Sequence, residues 1–580
     1  MYEPAPPRPK KTNIVRSRNG CRSCRRRRTK NLQGIPLTST TQCDEKKPTC
    51  GTCTRLGITC DSVQPDLKFK FVTGLPEKKP VPSSGETGSS LLRLQHFRKH
   101  SRGFDMPNID IIHSLQHTER DVFYSTYWED HCLPALHPIF RSASELLGLP
   151  AVRDAILALS SCNLSRIDAE RKHSKSFATV GTFCPNLTHL TRSQLYYSSA
   201  IRRFNSFTRD DYQRDATQVL ILLVIFGYVE ASMGNFDGYY LHVQGLSAFL
   251  VELRDTTGLS MFRALLTAWL QSQFLVWWAR TYFSSLGVQR RLSSISFPAS
   301  LEGNCSSLYD RRVLALSILC ESHRLNVKET LKHWKNRIVP EGSLASLHHP
   351  GGHDPEDCLS RLEDESKRLD KWLLFLPLSE QPLMDDALES SPIFFQAHDA
   401  ALNFAYYVVA RIMQCTSFLH RLPSRDPQQL GSECCEVEPW VRLLLRIVQG
   451  TDMQMSIIRN NYTIGFSGML LAASLRCQDV ILGMQIRKWL QSLAEKQPTE
   501  EGAFPVYQTL AVVKAINWLR TMGCDVFGVS QPTDDGGGIP KFTTYNSQII
   551  NALWFHGKRR ATGDFFTHCI DLQAVYDGVI

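Results

Sequence analysis

The chain has 580 residues, 42% of them hydrophobic and 21% charged. That composition excludes a wholly disordered, collagen-like or membrane-embedded protein and leaves room for more than one folded unit. The net charge of +10 is unevenly spread: residues 1–80 carry 18 Lys and Arg against 6 Asp and Glu, whereas the remainder carries 48 against 50, so a basic end precedes a near-neutral body, as expected of an arm that meets a polyanion.

Residues 1–15, MYEPAPPRPKKTNIV, are rich in Pro and Lys/Arg and lack apolar periodicity, which predicts a disordered basic leader. This start has no hydrophobic stretch of signal-peptide type, so a reducing compartment is expected, with thiols free or on metal and no disulfide framework for the 18 cysteines. The sequons at Asn163, Asn186, Asn304 and Asn461 then read as chance matches. The longest apolar run, Val219 to Val229, is shorter than the ~20 residues that span a bilayer, and no membrane span is predicted.

Residues 16–62 hold six cysteines, Cys21, Cys24, Cys43, Cys50, Cys53 and Cys60, among few large apolar residues. Such a segment cannot build a core of its own, so something else must fold it. Two C-x2-C pairs offer an answer, because a two-residue turn brings both sulfurs to ~2.3 Å from a tetrahedral zinc. Two pairs and two further cysteines suffice for two ions if two thiolates bridge.

With Asn31 to Gln42 removed, the segment reads CRSCRRRRTKCDEKKPTCGTCTRLGITC. In that form it resembles the fungal zinc binuclear cluster, the DNA-binding module of the yeast galactose-pathway activator and its relatives, at every gap of C-x2-C-x6-C-x5-12-C-x2-C-x6-8-C. The resemblance implies a small cluster with short helices and two zinc ions. Cys21, Cys24, Cys43 and Cys50 would hold one ion, and Cys50, Cys53, Cys60 and Cys21 the other, with Cys21 and Cys50 bridging. Pro48 falls where the family turns the loop between its halves. The departure is the twelve-residue insert 31–42, NLQGIPLTSTTQ, which lengthens the second gap to 18 residues. Closing a loop three times longer costs roughly 1 kcal/mol, whereas structural zinc contributes on the order of 10 kcal/mol. Three readings of the insert stand: an extruded loop, untrimmed sequence from a mis-called exon boundary, or a disruption that leaves a non-DNA-binding regulatory interaction protein.

Arg22, Arg25, Arg26, Arg27, Arg28 and Lys30 place six cations in nine residues, a density that suits duplex phosphates or a nuclear-import signal. The resemblance puts Arg27 and Arg28 where the family presents basic side chains to a CGG-type triplet, and a guanidinium can pair with guanine O6 and N7 in the major groove. Lys46, Lys47 and Arg55 are the candidates for phosphate contacts that set register. Nuclear, sequence-specific binding of double-stranded DNA is therefore expected.

Residues 63–105 have linker composition, TGLPEKKPVPSSGETGSS among them. Their SLLRLQHFRKH stretch sustains no heptad, so dimerisation by a coiled coil there is unsupported, and homodimerisation through the body or monomeric binding both stay open.

From 106 to 580 apolar residues recur every three or four positions, in AVRDAILALSSC (Ala151 to Cys162), Thr217 to Ser232, Tyr239 to Leu253, Met261 to Arg280, Arg361 to Leu376, Asn403 to Cys415 and Ser467 to Met484. Period-2 alternation is scarce, which predicts a large all-α domain. FYSTYWEDHCLPALHPIF (Phe123 to Phe140) and the segments after it resemble, in order and texture, the fungal-specific regulatory domain that commonly follows such clusters. That implies control of transcription by a small-molecule or protein effector and no enzyme activity. Several residue groups in the body invite other readings. His113 and His117 have metal spacing but Ser114 replaces the Glu of an H-E-x-x-H site. His348, His349 and His353 sit in a Pro/Gly loop, Cys434 and Cys435 in a polar one, and DDGGG (Asp534 to Gly538) reads as a linker. Trp277, Trp278, Tyr406 and Tyr407 fit a core stripe better than a ligand pocket.

Overall fold

The computed structural model describes Thr49, Cys53, Thr54, Gly57 and, in the body, residues 117–141, 149–171, 183–208, 211, 214–252, 259–303, 305–338, 357–383, 391–422, 436–532, 552–576 and 578. The chain divides into two units, Met1–Asp105 and Met106–Ile580, and the elements below belong to the second.

Its first layer is helical. Helix α1 (His117–Tyr127) runs into a π turn, Trp128–Cys132, and a 3-10 turn, Leu133–Ala135. Helix α2 (Pro150–Ile167) begins with proline at its first position, where a missing N–H costs nothing. It packs along α3 (Leu187–Phe204), which Asn186 caps by accepting from the Thr188 and His189 amides. Helix α4 (Ala216–Met233) is apolar on every face and long enough by composition to cross a membrane, yet 89% of it is buried inside the body. Gly234 ends it in the left-handed conformation, φ 72°. Together α1 to α4 enclose a core of Trp128, Phe140, Ile156, Leu220, Phe226 and their neighbours. Helix α5 (Phe236–Glu252) lies against α4.

The second core is larger. Helix α6 (Leu259–Tyr282) connects the two, and α9 (Leu308–Ile338) packs on α10 (Cys358–Leu374) and α11 (His398–Gln414). Short helices α7 (Leu286–Arg291) and α8 (Ala299–Glu302) link α6 to α9. Helix α9 opens with a reciprocal cap: the Asp310 amide donates to Ser307 Oγ at 3.0 Å and the Ser307 amide to Asp310 Oδ2 at 3.1 Å. In α10, Leu362, Leu369 and Trp372 recur at helical spacing and are the buried face. After α12 (Ser417–Arg421), α13 (Glu438–Gln449) and α14 (Met453–Arg459), the apolar α15 (Phe466–Arg476) crosses the centre and α16 (Val480–Glu495) packs on α17 (Val506–Thr521). The stretch Ser467 to Met484, a single helical segment by spacing, is broken here: Asp479 leaves the helix and accepts from the Ile481 and Leu482 amides at 2.6 and 3.2 Å, starting α16 afresh.

The body is predominantly helical, as expected, but not all-α. A three-stranded antiparallel sheet closes its C-terminal side, β5 (Cys524–Ser530), β6 (Ala552–Arg559) and β7 (Phe565–Asp571), with β6 central. Two short antiparallel pairs, β1 (Glu170–Arg171) with β2 (Phe183–Cys184) and β3 (Glu500–Glu501) with β4 (Phe504–Pro505), complete the strands among the described residues, and α18 (Leu572–Tyr576) follows β7. Alternation is missing from β5 because nearly all of it is buried, packed on α17 and α15 as well as on β6.

Candidate functional site

Of the six predicted zinc ligands, the described residues include Cys53. It is fully buried and, with Thr54, lies in helical backbone. Gly57 follows in the left-handed conformation, φ 58°, its amide donating to the Thr54 carbonyl at 3.2 Å, a turn that glycine adopts without steric cost. Cys21, Cys24, Cys43, Cys50 and Cys60 lie outside the described residues, as do Arg22, Arg25, Arg26, Arg27, Arg28, Lys30, Lys46, Lys47 and Arg55, together with the leader, the insert 31–42 and the linker 63–105. Among the described residues no group of three or more His, Cys, Asp or Glu gathers as a metal site. His113, His348, His349, His353, Cys434, Cys435 and Asp534 to Gly538 are also outside them.

In the helical body the aromatic stripe is core. Trp278 and Tyr406 are fully buried, and the Tyr406 hydroxyl donates to the Ile464 carbonyl at 2.6 Å. Trp277 is buried as well, donating Nε1–H to the Ser293 carbonyl at 3.0 Å, and one edge of it reaches a cleft. Two of the described sequon asparagines carry structural duties: Asn163, buried within α2, accepts from the Tyr127 hydroxyl at 2.8 Å, and Asn186 caps α3.

The cleft lies where α6, α7, α9, α15 and the sheet meet. Its inner part, a narrow space of about 40 Å³, is lined by Tyr282, His323, Thr330, Leu475 and Arg476 with Phe527 to Val529 of β5. An outer part of about 250 Å³ shares Thr281, Gln289, His323, Val327 and Leu331 with it and is rimmed by Arg290, Arg324, Lys328 and Lys332. The Tyr282 hydroxyl and His323 Nε2 are 2.7 Å apart. Burial pushes the Tyr282 phenol up and the His323 imidazole far down, the latter helped by the nearby Arg476 charge. Both therefore present neutral groups at physiological pH.

Over 99 residues, 17% of its length, the chain is 36% identical to the lysine biosynthesis regulatory protein LYS14 of Saccharomyces cerevisiae, and that stretch is 9% of the yeast protein. No protein-family profile matches the chain, and no solved structure matches it. The similarity is thus to a regulatory protein and is local.

Sequence reasoning missed the cleft. Its walls come from five separate segments, and each of these reads alone as ordinary core. The one available sign was Arg476, a lone cation closing the apolar helix FSGMLLAASLR, where a basic residue in the last turn is also simply a favourable partner of the helix dipole.

Proposed function

We propose that the chain is a sequence-specific DNA-binding regulator of transcription that acts in the nucleus, with the helical body regulating a zinc-folded N-terminal reader. The carrying observation is the cysteine spacing: two C-x2-C pairs with matched six-residue gaps, in a segment too poor in apolar residues to fold by burial. The local similarity to a yeast regulatory protein supports regulation in general. In this reading Cys21, Cys24, Cys43, Cys50, Cys53 and Cys60 hold two zinc ions, which supply the folding energy of the segment. The burial of Cys53 agrees with a thiolate directed inward. Arg27 and Arg28 read guanine edges, and the other basic residues of residues 22–55 contact phosphate. No catalytic step is assigned to the body.

The deciding experiment uses the full chain and a form lacking Asn31 to Gln42. Zinc per chain is measured after exhaustive dialysis, and each protein is titrated with a CGG-containing and a scrambled duplex. Two zinc ions per chain and a preference of about 10³ or more for the CGG duplex, lost on chelation, are expected. A chain that carries no zinc, or keeps its preference after chelation, sinks the proposal. If only the shortened form discriminates, the insert is either disruptive, which makes the full-length chain a non-DNA-binding interaction protein, or untrimmed sequence from a mis-called exon boundary.

A further inference from the structure

We propose that the cleft ending at Arg476 binds a small organic acid, its carboxylate on the Arg476 guanidinium and its hydrocarbon chain along Val327, Leu331 and Leu475. The inference concerns ligand binding by the body alone and is independent of the DNA-binding reading, since its test contains no DNA.

Arg476 is 5% exposed, yet among the described residues no Asp or Glu pairs with it. Among the described residues its hydrogen bonds run from Nη1 to the Phe527 carbonyl at 2.8 Å and, weakly, to the Leu475 carbonyl at 3.5 Å, while Nε has no partner. Among those residues no Asp or Glu lines either part of the cleft. The titratable groups facing it from α6 and α9, Tyr282 and His323, are neutral, and the Phe418 ring lies over its far side at 6.0 Å. Burial lowers the Arg476 pKa to about 10, which still leaves the group charged at neutral pH. A buried cation with unused donors is costly, and proteins ordinarily pair it. This protein does so elsewhere: buried Arg311 meets Glu380, Arg312 meets Asp399 and Arg166 meets Glu500. Among the described residues Arg520 and, at Nε, the ion-paired Arg166 are also buried arginines with unused donors, but neither lines the cleft.

The fold holds the guanidinium in place through a defect in β5. The β5–β6 register passes from Val526↔Gly557 to Gly528↔His556, skipping Phe527. A bulged residue has a carbonyl outside the ladder, and it is this carbonyl that Arg476 takes. The remaining edge of the planar fork matches a carboxylate, which accepts two parallel N–H bonds. A phosphate dianion fits less well, because the inner cleft offers one cation and largely apolar walls. The basic rim, Arg290 and Lys328 included, would draw an anion inward.

The test titrates the full-length chain with straight-chain monocarboxylates from butyrate to decanoate by calorimetry and thermal shift, with 1-octanol and inorganic phosphate as controls. Binding of one or more of the acids is expected, with a rise in Tm that neither control reproduces at equal concentration. Arg476→Met should weaken that binding about 10- to 100-fold, the loss of hydrogen bonds to a charged group. Without ligand it should melt no lower than the natural chain, because an unpaired buried charge is gone. Val327→Trp, at a half-buried position on the wall, should abolish binding while unfolding stays cooperative, and it decides the matter if Arg476→Met does not fold. The proposal is overturned if no acid binds, if octanol or phosphate is as effective, or if affinity is unchanged in Val327→Trp or in a folded Arg476→Met.

Discussion

Glu501 is a fully buried carboxylate surrounded by donors. Its Oε1 accepts from Asn460 Nδ2 at 2.6 Å and the Phe466 amide at 3.1 Å, and its Oε2 from the Ser467 amide at 2.7 Å. The latter two are among the orphan amides at the start of α15, so an acid from β3 does the capping that Gly465, with no side chain, cannot. Burial still raises the Glu501 pKa, and the charge sits there at some cost. Glu501→Ala should destabilise the body by about 3 kcal/mol in urea unfolding, because three buried donors lose their acceptor. Glu501→Gln keeps an acceptor and removes the charge, and should cost less than half as much. If Gln proves as damaging as Ala, the charge rather than the acceptor holds the helix. Within the proposed reader the residues divide by chemistry in the same way. Arg28→Ala should erode discrimination between CGG and scrambled duplexes by about 1–3 kcal/mol. Lys47→Ala should weaken all duplexes about equally and reduce the salt slope by about 1. Equal losses of discrimination from both variants in anisotropy titrations would refute this division.

At the scale of elements, the hairpin that delivers Glu501 depends on its turn. Gly502 and Ala503, between β3 and β4, both have positive φ, 58° and 61°, the conformation of a tight two-residue hairpin turn. A methyl group on Gly502 would strike the backbone of Gly465, whereas one on Gly523, also at positive φ, would meet open space. Gly523→Ala should therefore cost only the left-handed penalty, about 1 kcal/mol. Gly502→Ala should cost at least about 2 kcal/mol more, because backbone must move, and unfolding midpoints of the two variants measure the difference. The elements most legible in the sequence were those whose apolar residues recur every three or four positions, facing one side in α10 and buried on nearly every face in α11. The break between α15 and α16 was hidden because Cys477 to Asp479 interrupts two apolar helices for only three residues. The sheet was hidden because β5 is buried almost throughout and its bulge at Phe527 spoils what alternation remains. For the candidate sites the situation reverses. Cysteine spacing along the chain carries the whole zinc proposal, while the Arg476 cleft exists only where five segments converge.

For the folded body as a whole, pH tests how its two cores hold their polar groups. His137, His189 and His556 are buried and His242 is partly buried, and burial lowers their pKa values to about 3, 4, 4 and 4, in the order His137, His189, His242 and His556, from an ordinary 6.5. In the unfolded chain each binds a proton as pH falls through 6.5, whereas the folded body refuses it until about pH 4, so folding stability is full above pH 6.5 and is lost on acidification through that window. Glu230 and Glu501 act in the opposite sense, since burial raises their pKa values and the folded state takes up their protons first. Among the described residues His131, His323 and His398 are lowered as well, and Asp168 and Glu365 raised, so seven lowered imidazoles stand against four raised carboxyls. The melting temperature should therefore fall from pH 7 to pH 5.5. His189 isolates one share of the effect: it lies in the first core, with Tyr124 Oη 2.9 Å from its Nδ1, and a neutral amide can occupy a similar place. His189→Gln should flatten the dependence by up to one proton, about 1.4 kcal/mol per pH unit, in urea titrations repeated at half-unit steps. An unchanged slope would mean that His189 takes up its proton in the folded protein, and hence that the layer formed by α1 and α3 opens to water well before the rest of the body unfolds.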